Sequence, residues 1–277
     1  MAGIDDFTDR TALITGGADG IGAALAEALL SAGAKVFLGD IHAEKLQATA
    51  DRLGCPSAIC DVTDAAAVES VVDQAWETLG TVDLLCANAG VALFGSLLEI
   101  PREEFDFCFG VNVHGVLHAV RPQARRLAES GRTGTFLLTG SEHSLSLPNY
   151  LRPVPMHVYT MTKHAVLAIA EALRAELGPQ GHGVSVLCPG PVTSGLAENS
   201  TSARPASLGD PPPLDFSKVD PKAVQELVAA YIPSEEAAAI ALRGLRAGAF
   251  VIPTHVFQKD DVDARYRETI AGFDLIG

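Results

Sequence analysis

Basic residues are scarce in this chain. Its 277 residues include 20 lysines and arginines against 34 aspartates and glutamates, a formal net charge of −14. A nucleic-acid partner requires a basic face, and no cluster of lysines and arginines supplies one. There is also no apolar run of about 18 residues, the length needed to cross a bilayer. We therefore expect no nucleic-acid partner and no membrane span.

Cysteine is sparse too, and its distribution excludes two kinds of site. The five cysteines are scattered and odd in number, which is not typical of a disulfide framework or a zinc site. The first ten residues are acidic and lack the basic-then-apolar pattern of a secretory signal. These features predict free thiols, a cytoplasmic protein and no bound metal.

What the chain does contain is a regular alternation of apolar strand-like runs and helical patterns. The predicted strands cover residues 11–15, 35–39, 57–60, 82–87, 135–139, 184–188 and 250–252. Such alternation is typical of parallel strands with helices on both faces of the sheet. We predict an α/β fold with a doubly wound parallel sheet of about seven strands, and a single domain over residues 1–277.

One segment, residues 192–219, breaks this rhythm. It carries Pro205, Pro211, Pro212 and Pro213 among serines and other small residues. A disordered surface insertion would explain the composition. Long loops in compact domains are often functional, however, so we favour a mobile lid over a substrate pocket.

A glycine-rich turn follows the first predicted strand and is formed by Gly16, Asp19, Gly20, Ile21 and Gly22. Glycines let the backbone approach a pyrophosphate, and the next helix offers unpaired N–H groups at the positive end of its dipole. An acid, Asp40, ends the second strand about 20 residues further on, as the dinucleotide fingerprint requires. We therefore predict a dinucleotide site rather than an ordinary strand-to-helix turn.

Two acids in this region favour NAD over NADP. Asp40 is expected to accept hydrogen bonds from the adenosine ribose, and its neighbour Ile41 offers no cation for a 2′-phosphate. Asp19 lies in the turn, where a basic residue could have bound that phosphate. Alternatively, Asp19 faces solvent and Asp40 caps a helix. Asp61 and Val62, after the third strand, could contact the adenine, although a helix-leading turn explains Asp61 equally simply.

Tyr159 and Lys163 lie four positions apart, and residues at i and i+4 share one face of a helix. A nearby ammonium favours the phenolate and lowers the pKa of the tyrosine. The pair is thus a candidate proton-transfer device. Taken alone, the same spacing also fits a solvated helix face.

Together with other motifs in order, these residues resemble the short-chain dehydrogenase/reductases in their single-domain form. The resemblance rests on T-G-x-x-x-G-x-G at 15–22, Asp61-Val62, Asn88-Ala89-Gly90, Asn112, a serine after the fifth strand, Tyr159 with Lys163, and Pro189-Gly190 followed by Val192 and Thr193. It covers nearly the whole chain. It implies hydride transfer between an alcohol or carbonyl substrate and a nicotinamide cofactor, here NAD.

The resemblance also implies roles for individual residues. Tyr159 would be the acid/base, Lys163 would bind the nicotinamide ribose, Asn112 would hold a relay water, and a serine would hydrogen-bond the substrate oxygen. For that serine we choose Ser141, because the sheet fixes its position. Ser144 and Ser146 stay open, and Ser146 better fits the family's shorter interval before the tyrosine.

The remaining matched residues would line the cofactor cleft: Asn88, Ala89, Gly90, Pro189, Gly190, Val192 and Thr193. Simpler explanations exist for three of them. Asn88 could brace a turn, Thr193 could cap the lid, and Asn112 could bond local backbone.

The expected walls of the substrate pocket are mostly apolar: Val91, Leu93, Phe94, His143, Leu145, Leu147, Tyr150, Val154 and Leu196. Such a pocket suits a neutral, fairly bulky secondary alcohol or its ketone. By the resemblance, we also expect a homodimer or homotetramer built through the long helices at 103–127 and 159–177.

Two other functions compete with this one. A non-catalytic NAD-binding regulator would need the glycine turn but not Asn112, Tyr159 and Lys163. A cofactor-free dehalogenase or lyase of the same fold would not need Gly16, Gly20 and Gly22. The sequence retains both sets, which favours the dehydrogenase.

Overall fold

A parallel sheet of seven strands forms the centre of the computed structural model, which describes residues 3–149, 154–210 and 221–276. Its strands are β1 (Thr11–Thr15), β2 (Lys35–Asp40), β3 (Ser57–Ile59), β4 (Leu84–Ala87), β5 (Thr135–Thr139), β6 (Gly183–Cys188) and β9 (Val251–Pro253). Their order is β3-β2-β1-β4-β5-β6-β9. The order reverses beside β1, and such a switch point opens a crevice at the carboxyl ends of the strands.

Helices connect the strands on both faces of the sheet. They are α1 (Gly20–Ser31), α2 (Ala43–Leu53), α3 (Ala65–Leu79), α4 (Arg102–Phe109), α5 (Gly115–Ser130), α6 (His157–Leu177), α7 (Leu196–Ser202), α8 (Pro221–Ala229), α9 (Ser234–Arg246) and α10 (Gln258–Phe273). A π turn, Gly110–His114, joins α4 to α5. The short strands β7 (Val192–Thr193) and β8 (Ile232–Pro233) pair beside the main sheet.

The strands are buried on both faces, which explains their near-continuous apolar sequence. Successive side chains of a strand point to opposite faces. On β1, Leu13 therefore joins the core under α3, α5 and α6, whereas its neighbour Ile14 joins the core under α1 and α9. The doubly wound fold predicted from the sequence is confirmed.

The two ends of α3 follow local chemistry. Asp64 precedes α3, and its carboxylate accepts hydrogen bonds from the backbone N–H groups of Ala66 and Ala67. Gly80 ends the same helix at a φ of +80°, a conformation that favours glycine. Asp64 and Gly80 thus fix both ends of a helix whose apolar period was visible in the sequence.

Two helices were not predicted. α10 is exposed along most of its length, so no apolar period marks it. α7 lies within the predicted lid, where the proline content obscured it. Residues 211–219 of that lid lie outside the described part of the chain.

Four of the five cysteines are buried free thiols, as expected: Cys60, Cys86, Cys108 and Cys188. Burial raises the pKa of each of these thiols to about 12, so they are unreactive near neutral pH. No helix in the described ranges is long and apolar enough to cross a bilayer. Within the same ranges, no group of three His, Cys, Asp or Glu residues is placed to hold a metal ion.

Candidate active site

The carboxyl ends of the central strands open into a cavity of about 1130 Å³. Most of the predicted site residues line it: Gly16, Asp19, Ile21, Asp40, Ile41, Asp61, Val62, Asn88, Ala89, Gly90, Ser141, Tyr159, Lys163, Pro189, Gly190, Val192 and Thr193. Gly20, Gly22 and Asn112 lie behind this surface. The fold therefore brings residues from seven separate segments to one cleft.

The glycine turn is too crowded for side chains. Gly16 has a φ of +66°, and a Cβ on Gly22 would lie 1.9 Å from the Gly16 carbonyl oxygen. A Cβ on Gly20, at a φ of +53°, would lie 2.4 Å from the Ser194 carbonyl oxygen. All three glycines are thus required where β1 and α1 closely approach each other and the segments that follow β4 and β7.

Substitution of Gly22 by alanine is therefore expected to distort the turn and weaken binding of the predicted dinucleotide by about 5- to 150-fold, the range that overpacking by about 1–3 kcal/mol implies. Gly272 is the matched control. It also lies in a helix, but nothing stands within 4 Å of an added Cβ, so Gly272→Ala should leave binding unchanged. Titration of both variants with NAD⁺ by calorimetry tests this, and equal affinities would contradict the role given to the turn.

Asp40 connects the end of β2 to the glycine turn. Its Oδ2 accepts a hydrogen bond from Ala18 N at 3.0 Å, and its Oδ1 accepts one from His42 N at 2.9 Å. Each carboxylate oxygen can accept a further hydrogen bond. Asp40 therefore does cap local backbone, yet it still presents acceptors to the cavity.

Asp19 is the N-cap of α1, with Oδ1 accepting from Gly20 N at 2.7 Å. Its Oδ2 lies 3.5 Å from Lys45 Nζ, a cation in α2 that the sequence reasoning overlooked. Partial burial opposes ionisation, but hydrogen bonds from Gly20 and Asn199 and the charge of Lys45 lower the pKa of Asp19. Asp19 is thus an ionised capping residue at one edge of the cavity.

Asp61 forms the turn that leads to α3. Its Oδ1 accepts hydrogen bonds from Thr63 N at 2.9 Å and Thr63 Oγ1 at 2.8 Å. Its neighbour Val62 is buried, and the Val62 carbonyl lies 2.9 Å from His118 Nδ1. Both residues line the cavity. Asp61 therefore forms the turn that leads to α3 and also borders the cleft.

Asn88 ties together the ends of three strands. It donates from Nδ2 to Gly16 O at 3.1 Å, and its Oδ1 accepts from Thr139 Oγ1 at 3.0 Å. Its backbone N–H donates to Thr15 Oγ1 at 3.1 Å. Asn88 therefore fixes the glycine turn relative to β4 and β5.

Tyr159 and Lys163 lie on one buried face of α6, as their spacing predicted. Lys163 Nζ lies 5.6 Å from the Tyr159 ring centroid and donates to Thr139 O at 2.8 Å. Burial lowers the pKa of Lys163 to about 8. Burial raises the pKa of Tyr159, with a hydrogen bond from Ser141 opposing that change. The sequence predicted the opposite direction for Tyr159 because it counted the lysine charge and not the burial.

Of the three candidate serines, Ser141 lies beside Tyr159. Its hydroxyl hydrogen-bonds the Tyr159 side chain and accepts from His143 N at 3.2 Å. Ser144 is occupied otherwise, since its Oγ donates to Lys163 O at 2.7 Å and accepts from Ser141 N at 3.1 Å. Neither Ser144 nor Ser146 lines the cavity. The geometry therefore favours Ser141.

Asn112 lies in the π turn, only 1% exposed. Its Oδ1 accepts from Val91 N at 2.8 Å, and its Nδ2 donates to Val91 O at 2.9 Å and to Thr162 Oγ1 at 3.0 Å. These partners are distant in sequence, so the simpler explanation, a hydrogen bond to local backbone, does not account for Asn112. Asn112 anchors the loop after β4 to α6.

The substrate end of the cavity is mainly apolar. Val91, Phe94, His143, Val154 and Leu196 line it as predicted, whereas Leu93, Leu145 and Leu147 do not. Tyr150 lies outside the described residues. The sequence reasoning missed Met156, Leu227 and Tyr231, which reach the cavity from outside the motifs.

A buried ion pair holds the segment after β7, which contains α7 and Arg204, over this cavity. Arg204 Nη1 donates to Glu104 Oε2 at 2.6 Å, and Arg204 Nη2 contacts Glu104 Oε1. The two side chains are only 6% and 10% exposed. At the other end, Asn199 accepts a hydrogen bond from Lys45 Nζ at 2.7 Å. No signal in the sequence connected these partners.

Comparison with known proteins agrees with this geometry. Residues 10–205 match the model of the short chain dehydrogenase family. The chain belongs to this family. It is 35% identical over 204 residues to 1-deoxy-11-beta-hydroxypentalenate dehydrogenase of Streptomyces avermitilis, covering 71% of this chain and 74% of that protein. It is also 35% identical over 186 residues to sorbitol dehydrogenase of Cereibacter sphaeroides, covering 66% and 70%.

The structural likeness extends beyond the matched residues. A short-chain dehydrogenase/reductase from Burkholderia phymatum, solved in complex with NAD, superposes with a TM-score of 0.86 at 29% identity and covers 97% of each chain. The resemblance stated from the motifs is thus confirmed, and the chain is an oxidoreductase of the short-chain dehydrogenase family.

Proposed function

We propose that this protein is an NAD-dependent dehydrogenase that interconverts a neutral, fairly bulky secondary alcohol and its ketone. One observation carries the proposal. Tyr159, hydrogen-bonded to Ser141 and flanked by Lys163, lies in the same cavity as the glycine turn and Asp40. A cofactor-free dehalogenase or lyase would not need the crowded glycine turn, and a regulator would not need the buried phenol and amine.

The residues of the cleft fit a dinucleotide. The glycine turn leaves no room for side chains, and Asp40 retains acceptors for ribose hydroxyls. Ile41, Asp61 and Val62 would border the adenosine. The segments 88–90, 189–190 and 192–193 would line the nicotinamide half, which when bound accepts a hydride from the alcohol or returns it to the ketone.

The proton moves through residues of this chain. Tyr159 would take the hydroxyl proton of the alcohol and return it to the ketone oxygen in reverse, while Ser141 would hydrogen-bond that oxygen. Lys163, held by Thr139, would supply a positive charge that favours the phenolate form of Tyr159. Asn112 would place the Val91 loop and hold the proposed relay water.

We expect NAD⁺ to be preferred over NADP⁺ by at least about tenfold in kcat/KM, because juxtaposed like charges cost several kcal/mol. A 2′-phosphate would meet Asp40, and the nearby Lys45 is already compensated by Asp19 and Glu198 at 3.5 and 3.7 Å. Asp40→Ser should narrow the preference. Asp51→Ser, a change at an exposed residue of α2, should leave the preference unchanged. A wild-type preference for NADP⁺ would overturn the assignment.

The experiment that tests the function is a screen of secondary alcohols with NAD⁺ and with NADP⁺, followed by the absorbance of the reduced nicotinamide. Turnover of bulky neutral alcohols is the expected result. Tight NAD⁺ binding without turnover of any alcohol would favour the alternative, a regulator that retains the fold.

Three further expectations remain proposals. The chain would work as a single domain, with the segment from residue 192 as a lid. It would reside in the cytoplasm. It would form a homodimer or homotetramer through the predicted helices at 103–127 and 159–177, which correspond to α4 with α5 and to α6. On α6, the apolar residues that are at least partly exposed include Met161, Leu167, Ile169 and Leu173.

A further inference from the structure

The C-terminal helix α10 reaches the active site through its first residue. Gln258 is only 4% exposed and is the one buried residue of α10, all of which the structure describes. Its Nε2 donates a hydrogen bond to Glu142 Oε2 at 2.7 Å, across 116 positions of sequence. Glu142 is also buried, lines the cavity and follows Ser141 directly in sequence. A helix that is otherwise largely exposed therefore contacts the neighbour of the proposed oxygen-binding serine.

The turn that carries Glu142 is the one that presents Ser141. Glu142 is the first residue of a single 3₁₀ turn that ends at Ser144, and Ser141 is its N-cap. The side chains of Ser141 and Ser144 form a capping box across this serine turn, residues 141–144. The backbone N–H of Glu142 donates to Pro189 O at 2.8 Å. Because the serine turn is short and closed by its own hydrogen bonds, a shift of Glu142 would also shift Ser141.

Gln258 also lies against the segment after β6. A Cβ on Gly190 would lie 2.6 Å from Gln258 Nε2 and 2.6 Å from His255 Nδ1. The backbone N–H of Gly190 donates to Thr254 Oγ1 at 3.0 Å. Residues 254–258 therefore support both the serine turn and the segment at 189–190, which lines the same cavity.

The stability of the fold does not by itself explain the amide of Gln258. Its Oε1 is one of two buried side-chain polar atoms in the described ranges that have no hydrogen-bond partner. Such an atom costs stability, and an apolar side chain of similar size would avoid that cost. What only the amide contributes is the hydrogen bond to Glu142. The place of that carboxylate matters because, after burial, its charge is among the causes that raise the pKa of Tyr159.

We propose that Gln258 is a positioning residue of the active site, which fixes the serine turn through Glu142 and so makes α10 part of the catalytic machinery. This inference rests on the proposed dehydrogenase function. Loss of the amide donor would let the Glu142 carboxylate turn away from α10, and Ser141 would lose part of its support. Gln258 does not line the cavity, so it acts only through its neighbours.

The first test is Gln258→Leu, which keeps most of the volume and removes the donor. We expect kcat to fall by about tenfold or more, because a hydrogen bond to a charged group is lost and a reacting group is misplaced. The measurement uses NAD⁺ and whichever of the screened secondary alcohols, among them 1-phenylethanol and cyclohexanol, the wild type oxidises fastest.

The second test is Gln258→Glu, which keeps the shape but places two carboxyl groups together. Such a pair can share one proton at low pH and repels when both groups are ionised. The kcat of this variant, divided by that of the wild type at the same pH, should be near one at about pH 6 and fall towards about pH 9. The ionisable groups nearest this pair, His143, Tyr159 and His255, are present in both proteins, so the ratio removes their own titration. Recovery of the ratio when the same sample is returned to low pH separates repulsion from unfolding.

Gln47 provides the matched control. It also donates through Nε2 to a carboxylate, Asp51 Oδ1, at 2.7 Å, but on the exposed face of α2. Gln47→Leu and Gln47→Glu should keep the wild-type kcat at every pH. Wild-type kcat in Gln258→Leu, or a Gln258→Glu ratio that does not change with pH, would overturn this inference while the dehydrogenase function stands. If the wild type binds NAD⁺ and oxidises no alcohol of the screen, the proposed function itself fails, and this inference with it.

Discussion

Tyr159→Phe is expected to lower kcat for alcohol oxidation by about three orders of magnitude, within the range that a positioned acid or base supplies. The substitution removes the hydroxyl bound to Ser141 but keeps the ring that packs against His143. NAD⁺ affinity should fall far less than kcat, because the glycine turn and Asp40 are untouched. Stopped-flow measurement of the first turnover, with calorimetric titration of NAD⁺, separates the two effects.

The matched control for this variant is Tyr231→Phe. Tyr231 also lines the cavity, but it is 50% exposed and lies in a different segment from the catalytic helix. Loss of its hydroxyl should leave kcat nearly unchanged. If Tyr159→Phe keeps most of the wild-type kcat, the acid/base role must belong to another group, and Ser141 would be the next to test.

The electrostatics of Tyr159 and Lys163 differ from those of a simple phenol–ammonium contact. Burial raises the pKa of Tyr159, so the side chain holds its proton at neutral pH, the form that would protonate a ketone oxygen in the proposed reaction. Oxidation requires the opposite form. In the proposed mechanism a positive charge on Lys163 would favour that form, and this charge is lost as the pH rises through the Lys163 pKa of about 8.

Local patterns account for what the sequence could predict. β1 is an uninterrupted buried strand, the apolar residues of α3 recur with helical spacing, and Asp64 caps the start of α3. The turn at Gly16 and the acid at Asp40 are separated by a fixed strand–helix unit, so their spacing reflects a geometry that all such units share. The fold and most residues that line the cavity could therefore be predicted from short segments.

What the sequence could not predict depends on partners far apart in the chain. The Asn112 amide bonds Val91, 21 positions away, and Lys45 meets Asn199 across 154 positions. The direction of the Tyr159 pKa depends on burial, which no local pattern reports. α10 buries little surface and so leaves no period to detect. Each of these features follows from tertiary packing and not from propensity.

Breaking the ion pair between Arg204 and Glu104 is expected to have the second large effect, a loss of stability. Arg204→Met would leave the Glu104 carboxylate buried beneath the segment after β7 without its charge partner, and such losses cost about 3–5 kcal/mol. The guanidinium also donates to the carbonyls of Leu208 and Gly209, which would lose their partner. Urea unfolding should show the loss, and limited proteolysis should show cleavage near residues 203–209 before the core unfolds.

Two comparisons separate a specific buried pair from a general effect of removing charge. Arg102→Met breaks an exposed pair with Asp106 on the same helix as Glu104, where the side chains are 86% and 59% exposed, and it should cost at most about 1 kcal/mol. The double variant Glu104→Met with Arg204→Met removes both charges and should recover most of the stability. If Arg204→Met lowers the free energy of unfolding no more than Arg102→Met does, the ion pair does not hold the segment after β7 in place. The proposed lid would then have to be held by other contacts.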